Sequence, residues 1–418
     1  MWVKVVFWCT AFIAVAGMIY YPASSLYAYW QDRGTSESQN IGISKPQNQE
    51  TVQPDSSMAV SLKDFIESPT RLDTTDVAVS VYDLSAGCYV ARWHDEELMP
   101  PASCLKLLTA ACAMKRLGLG HKYHERVLLK RDDVIIQLDD DPLLESLKPL
   151  VDAISENGIR EIEGKVILNL MRTDTLRAHR TAAVWDIPYY KTPLLLKGAP
   201  RVEREIKLLL RQKGIKYNEV EVVKGIQPLP GAHEIKDLAT SMQDVLIPML
   251  IHSSNIKADA LFWHLQHYGD RYQGMCGTGE NIIEAFLRED LKYNTEGFVV
   301  NDGSGLSPDN RVTADFLLAI LRYCWKYDDM KEFLLDKALA TPGSPIRHGS
   351  LLGRLSAQKY RGRVFCKTGT LTSHGGSSLA GYVHSQNGHW YAFVVINRDS
   401  PVAECRLYQD KLCKILVL

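Results

Sequence analysis

The sequence predicts an α+β fold in which strands from both ends of the chain share one sheet around a helical middle. Three observations carry this. Val77, Val79 and Val81 alternate with Ala78, Ser80 and Tyr82, the period-two pattern of a strand. Three strand-like runs with glycine turns, at 363–370, 377–384 and 390–397, lie near the other end. Between them helical patterns dominate, except for a strand-rich stretch at 120–225 that reads as an inserted domain. The expected organisation is a signal peptide or membrane anchor at 1–30 and a disordered linker at 31–60. The main domain follows in two parts, 61–119 and 226–418, on either side of the insert.

A short helical pattern covers 62–67. The strand at 76–84, the turn Ser85-Ala86-Gly87 and a second strand at 88–93 form a hairpin. Pro100 and Pro101 then stop an extended segment, and helix formers from Leu107 to Leu117 follow at once. Proline suits the first turn of a helix, where its missing N–H would be unpaired anyway. A helix therefore begins near Ser103 and ends at Gly118 or Gly120. In the insert, strands at 126–130 and 134–138 flank the turn Arg131-Asp132-Asp133. A helix at 143–157, a strand at 165–170, a helix at 202–214 and a strand at 220–223 complete it. Helices are expected at 234–249, 255–268, 281–289, 314–325 and 331–339, and a closing helix at 405–416.

Forty-eight basic and 49 acidic residues in 418 leave a net charge of −1. That gives no basic excess for nucleic acid and no acidic tail. A glycine-rich phosphate loop and a spaced Cys/His cluster are both absent from the sequence. His252, His264 and His267 come closest to a metal constellation and read better as surface or half-buried helix histidines. Neither a metal nor a cofactor is expected. Residues 5–21 are uncharged and mostly apolar, followed by Pro22 and by small residues at a plausible cleavage position. This is a signal peptide or a membrane anchor, and the remainder is exported either way. The Ser-, Gln- and Asn-rich run after it reads as a tether, which favours an anchor that stays attached. Of nine cysteines, Cys9 lies in the apolar segment, leaving an even eight in an oxidising compartment. Most sit in apolar contexts, so buried free thiols are the alternative to disulfides. Cys104 and Cys366 each adjoin a motif residue.

Three short elements carry the chemistry: Ser103-x-x-Lys106, Ser253-Ser254-Asn255 and Lys367-Thr368-Gly369-Thr370. Ser-x-x-Lys alone proves little, since Ser254-Asn255-Ile256-Lys257 also fits it. Taken singly, Ser103 reads as a helix cap, Ser253 as a loop cap and Lys367 as an exposed strand lysine. Together, in order and in suitable settings, they form the signature known from class A β-lactamases and penicillin-binding proteins. Ser103 is placed to attack a carbonyl, with a neutral Lys106 taking its proton. Burial or a cationic neighbour keeps such a lysine neutral, and Lys367 would be that neighbour. Ser253 could relay a proton to a leaving amine, while Asn255 orients Lys106 and a substrate amide. Lys367 and Thr368 suit a substrate carboxylate, Gly369 admits a ligand close to the strand, and the N–H groups of Ser103 and Thr370 suit an oxyanion.

Further stretches resemble the D-alanyl-D-alanine carboxypeptidase family of low-molecular-mass, class C penicillin-binding proteins. They are Pro101-Ala102-Ser103-x-x-Lys106-Leu107, Asp302-Gly303-Ser304-Gly305-Leu306-Ser307 with Asn310, Gly362-Arg363-Val364-x-x-Lys367-Thr368-Gly369-Thr370-Leu371, and Leu379-Ala380-Gly381-Tyr382-Val383. Asp141-Pro142 and the stretch from Gly158-Ile159 to Gly164 fit within the insert. The resemblance implies a penicillin-binding-protein/β-lactamase-like transpeptidase fold: an antiparallel sheet flanked by helices, a helical lobe and an inserted β-rich domain. It implies a serine peptidase of the periplasm or cell envelope that removes the terminal D-Ala of peptidoglycan stem peptides through an acyl-enzyme. Members often cleave cross-links too and are acylated by β-lactams. The family's catalytic residues carry over onto Ser103, Lys106, Ser253 and Asn255, and its substrate-binding residues onto Lys367, Thr368 and Gly369. Ser254 departs from the family's usual Asp and Pro308 from its usual Arg. The segment between Lys106 and Ser253 is short, which points to one missing or reduced insert. Two alternatives keep the same fold: a β-lactamase, and a β-lactam-sensing or wall-binding module without peptide turnover.

Overall fold

Two five-stranded sheets organise the protein in a computed structural model that describes residues 52–68, 72–171, 198–225, 229–271, 281–372 and 375–418, with backbone alone at 267–271. The expectations for residues 1–51, for the His267 side chain and for Cys276 lie outside the described residues. No described helix is long and apolar enough to cross a membrane.

The first sheet joins both ends of the chain. Val77–Asp83 (β1) and Cys88–Trp93 (β2) form the expected hairpin. Val364–Leu371 (β8), Gly376–His384 (β9) and Trp390–Asn397 (β10) complete it in the order β2-β1-β10-β9-β8, antiparallel throughout. The period-two pattern divides β1 between two cores. Val77, Val79 and Val81 face one core and Ala78 the other. Two terminal helices cover the first face, Ser56–Glu67 (α1) through Met58, Leu62 and Ile66, and Val402–Val417 (α10) through Tyr408, Leu412 and Leu416. The opposite face meets Ala314–Trp325 (α8), against which Lys106–Arg116 (α2) packs in the same core.

Helix α1 begins inside the stretch read as linker. Asp55 caps it by accepting from the Met58 amide at 3.0 Å. Its buried residues recur every four positions, a stripe hidden in a polar composition.

The second sheet contains Lys122–Lys130 (β3), Asp133–Leu138 (β4), Glu161–Leu170 (β5), Lys216–Lys224 (β6) and His233–Ser241 (β7), in the order β6-β5-β4-β3-β7. β4, β5 and β6 run parallel, and β3 is antiparallel to both of its neighbours. Lys148–Glu156 (α3) and Ala199–Gln212 (α4) close a third core with Leu150, Ile154, Val202, Ile206 and Leu210.

β7 corrects the helix expected at 234–249. Residues 233–241 pair with β3 instead, and the helix starts only at Met242, as Met242–Ile251 (α5). Leu238 and Met242 are four apart, which suits a helix, but Leu238 packs into the third core from a strand. Ser241 and Asp244 then form a reciprocal capping box that fixes where the helix begins. The sheet thus runs to Ser241, past residue 225 where the sequence reading ended the insert. Asn255–Arg271 (α6), Ile282–Ala285 (α7, continued by a widened turn to Leu291) and Asp328–Phe333 (α9) complete the helical lobe.

Seven cysteines lie among the described residues, and all are free thiols, including Cys104 and Cys366. Six of them are buried in apolar packing, so burial accounts for them without disulfides.

Candidate active site

The Ser103 turn is held in an uncommon backbone state by its neighbours. Ala102–Leu105 form a tight turn before α2, and Ala102 has φ 48°, rare for a residue with a Cβ. Ser378 on β9 donates to Pro101 O at 2.6 Å. The Asp302–Ser307 turn closes from the other side, where a Cβ on Gly305 (φ +77°) would lie 1.8 Å from Ala102 O. On β8, a Cβ on Gly369 would lie 3.0 Å from the Ser103 nitrogen. The Ser103 amide therefore sits against the backbone of β8.

Lys106 is fully buried, and its Nζ has three partners. It lies 3.0 Å from Ser103 Oγ, 2.8 Å from Asn255 Oδ1 and 2.7 Å from Ser304 O. Asn255 Oδ1 and Ser304 O only accept, and a neutral amine has two hydrogens for them. Its lone pair then points at Ser103 Oγ, the single partner that can give a proton. Burial brings Lys106 down to about 7, with the Lys367 charge adding to the shift and the Asp259 and Asp302 carboxylates opposing it.

Lys367 is also buried, and burial brings it down to about 8. Its Nζ donates to Ser253 Oγ at 2.8 Å and to Thr368 O at 2.7 Å. Ser253 lies at the end of α5 with φ 56°, and Asn255 opens α6. Ser254 behaves as a helix cap, its Oγ accepting from the Lys257 amide at 3.4 Å. The Thr368 hydroxyl meets the hydroxyl of Ser350. Thr370 Oγ1 accepts from Arg406 at 3.4 Å. The structure thus places Ser103, Lys106 and Asn255 in one hydrogen-bonded group, and Ser253 and Lys367 in a second.

Cys104 and Asp302 were named in the sequence without a role of their own, and Asp259 was not singled out there. Cys104 Sγ donates to Lys367 O at 3.2 Å and ties the two groups together. Asp302 gathers the amides of Ser304, Gly305 and Ser307 at 3.0, 2.5 and 2.7 Å, which presents Ser304 O to Lys106. Asp259, one turn after Asn255, is only 1% exposed. Burial raises its carboxyl to about 7, with the Asp302 charge in the same direction and Lys106 in the other. A carboxylate four positions after Asn255 on a helix apolar along one side was the signal that could have found it. Of the histidines weighed as ligands, His252 is exposed at the end of α5. His264 is buried beside Tyr123 and Asp140, deeper than the half-buried reading expected.

A D-alanyl-D-alanine carboxypeptidase of Actinomadura sp. (strain R39) is 31% identical over 163 residues, 38% of this chain and 29% of that protein. The match thus spans less than a third of that relative. Penicillin binding protein 4 of Haemophilus influenzae has the same fold, with a TM-score of 0.66 at 18% identity over 86% of this chain and 99% of the other. So has a predatory peptidoglycan endopeptidase of Bdellovibrio bacteriovorus, at 0.56 and 17% over 81% and 92%. The fold is therefore the α+β penicillin-binding-protein type, with two sheets and a helical lobe. The family description that fits residues 58–193 and 196–414 takes in all three motifs, and the chain belongs to the D-Ala-D-Ala carboxypeptidase 3 (S13) family.

Proposed function

We propose that the protein is a serine D-Ala-D-Ala carboxypeptidase that acts on peptidoglycan stem peptides, and on their cross-links, through an acyl-enzyme at Ser103. The observation that carries the reading is the Lys106 amine, buried with two pure acceptors and with Ser103 Oγ as its remaining partner. Ser103 Oγ attacks the carbonyl of the penultimate D-Ala while Lys106 takes its proton. The N–H groups of Ser103 and Thr370 receive the oxyanion. Ser253, held by Lys367, passes a proton to the leaving amine as the C–N bond breaks, and D-Ala departs. The Lys106 ammonium returns its proton to Ser253; the neutral amine then deprotonates the water that cleaves the Ser103 ester and hands that proton to Ser103 Oγ as the shortened peptide leaves. Lys367 and Thr368 hold the substrate's terminal carboxylate, and Asn255 orients both Lys106 and the substrate amide.

In the same reading the chain is exported to the cell envelope, with residues 5–21 as signal or anchor. The second sheet and its helices form a domain inserted in the peptidase. β-Lactams acylate Ser103 because they mimic the acyl donor.

The test measures D-Ala release from a D-Ala-D-Ala peptide together with labelling by a fluorescent penicillin. Release and stable labelling are expected, with labelling lost in Ser103→Ala and kept in Ser254→Ala. Labelling that survives Ser103→Ala would sink the assignment. Penicillin held without D-Ala release would favour a sensor, and rapid penicillin hydrolysis a β-lactamase.

A further inference from the structure

The turn at 348–351 lies between the two elements that carry Ser253 and Lys367. Gly349 has φ +49°, and a Cβ there would lie 2.7 Å from Ile251 O and 3.1 Å from Ala340 Cβ. Ile251 ends α5 two residues before Ser253, and Ala340 forms an antiparallel bridge with Cys366 of β8. Glycine at 349 lets the turn pass against both. Its neighbours fix it further: Thr341 N donates to Arg347 O at 2.8 Å, Arg347 donates to Leu335 O at 2.6 Å, and Leu351 is 1% exposed in the core. Ser350 is exposed on this anchored turn, with its hydroxyl against that of Thr368.

A threonine hydroxyl has one proton and two lone pairs. If nothing engages the lone pairs, the proton is free to turn to any nearby carbonyl. A second hydroxyl that donates to Thr368 Oγ1 leaves the threonine proton for the open side of the strand. We propose that Ser350 is a positioning residue for carboxylate recognition, orienting the Thr368 hydroxyl towards the terminal carboxylate of the ligand. The inference rests on the reading of Lys367 and Thr368 as the carboxylate site.

The experiment compares acylation of the full chain by benzylpenicillin and by its methyl ester, followed by intact-protein mass. The two probes share the reactive ring and differ in the carboxylate. The unaltered chain is expected to prefer the acid. Ser350→Ala should lower the acid rate about 3- to 10-fold and leave the ester rate in place, the effect of one lost neutral hydrogen bond. Ser350→Thr, which keeps the hydroxyl, should restore the preference. An acid-to-ester ratio unchanged in Ser350→Ala overturns the inference. So does an equal loss for both probes, which would mark the turn as a structural prop. If the unaltered chain is acylated by neither probe, the acyl-enzyme reading fails and this inference falls with it.

Discussion

Lys106 shows how a common residue becomes a candidate base through its surroundings alone. Burial removes the water that would stabilise its charge, and Lys367 disfavours that charge further, while Asp259 and Asp302 act the other way. Lys106 is thus poised near neutrality by opposing groups. Asp259→Asn removes one of the two carboxylates that favour the ammonium form and keeps the side chain's size. Lys106 should then lose its proton at lower pH, so the acid limb of the benzylpenicillin acylation rate should move to lower pH. A pH profile of acylation checks this, and an unmoved limb would show that Asp259 serves packing only. Ser103, Lys106 and Lys367 could be found in the sequence because each belongs to a short motif with a recognisable local setting. Asp259 and Ser350 could not be singled out that way, and the motif that contains Ser304 did not show that its carbonyl meets Lys106. They matter through partners that are distant in sequence, as Lys106 and Ser304, 198 positions apart, illustrate.

At the level of elements, the Ala102–Leu105 turn depends on the glycines packed against it. A side chain on Gly305 would drive a Cβ to 1.8 Å from Ala102 O, in a backbone region unfavourable to L-residues. Gly305→Ala should therefore displace the turn, lowering stability by about 2–4 kcal/mol and cutting penicillin labelling sharply. Gly388 has φ +91° and no atom within 4 Å of an added Cβ, so Gly388→Ala should cost only the backbone strain and leave labelling intact. Thermal unfolding and labelling of both variants test the contrast. Equal behaviour would mean that the turn yields freely. The β1–β2 hairpin, α2 and the three C-terminal strands were legible because their periodicity and turn residues agree with their final environment. β7 was not. Its apolar spacing continues into α5, and pairing with β3, more than one hundred residues earlier, decided its conformation.

For the whole molecule, each sheet supports its own helices, and the second sheet has a buried acid of its own. Glu125 on β3 is fully buried, and burial with the Asp139 and Asp141 charges raises its carboxyl well above the usual range. The folded chain therefore holds a proton that the unfolded chain releases above about pH 4.5. The associated stability is fully present below that pH and is lost as pH rises through the folded value. Glu125→Gln has no such proton to lose, so its thermal midpoint should exceed that of the unaltered chain by a few degrees at pH 8 and by less at pH 5. Midpoints that differ equally at both pH values would contradict this. By itself the sequence determined the α+β class, most strands and helices and the three motifs, since these depend on residues close together in the chain. Only the tertiary structure decided that α1 reaches back to Ser56, that β7 is a strand, that the described cysteines stay unpaired and that Asp259 and Ser350 stand beside the motif residues. Those outcomes come from packing between distant segments, where burial and partner geometry outweigh local preference. The Ser103-x-x-Lys106 spacing named the candidate, and the fold supplied the buried partners that surround its lysine.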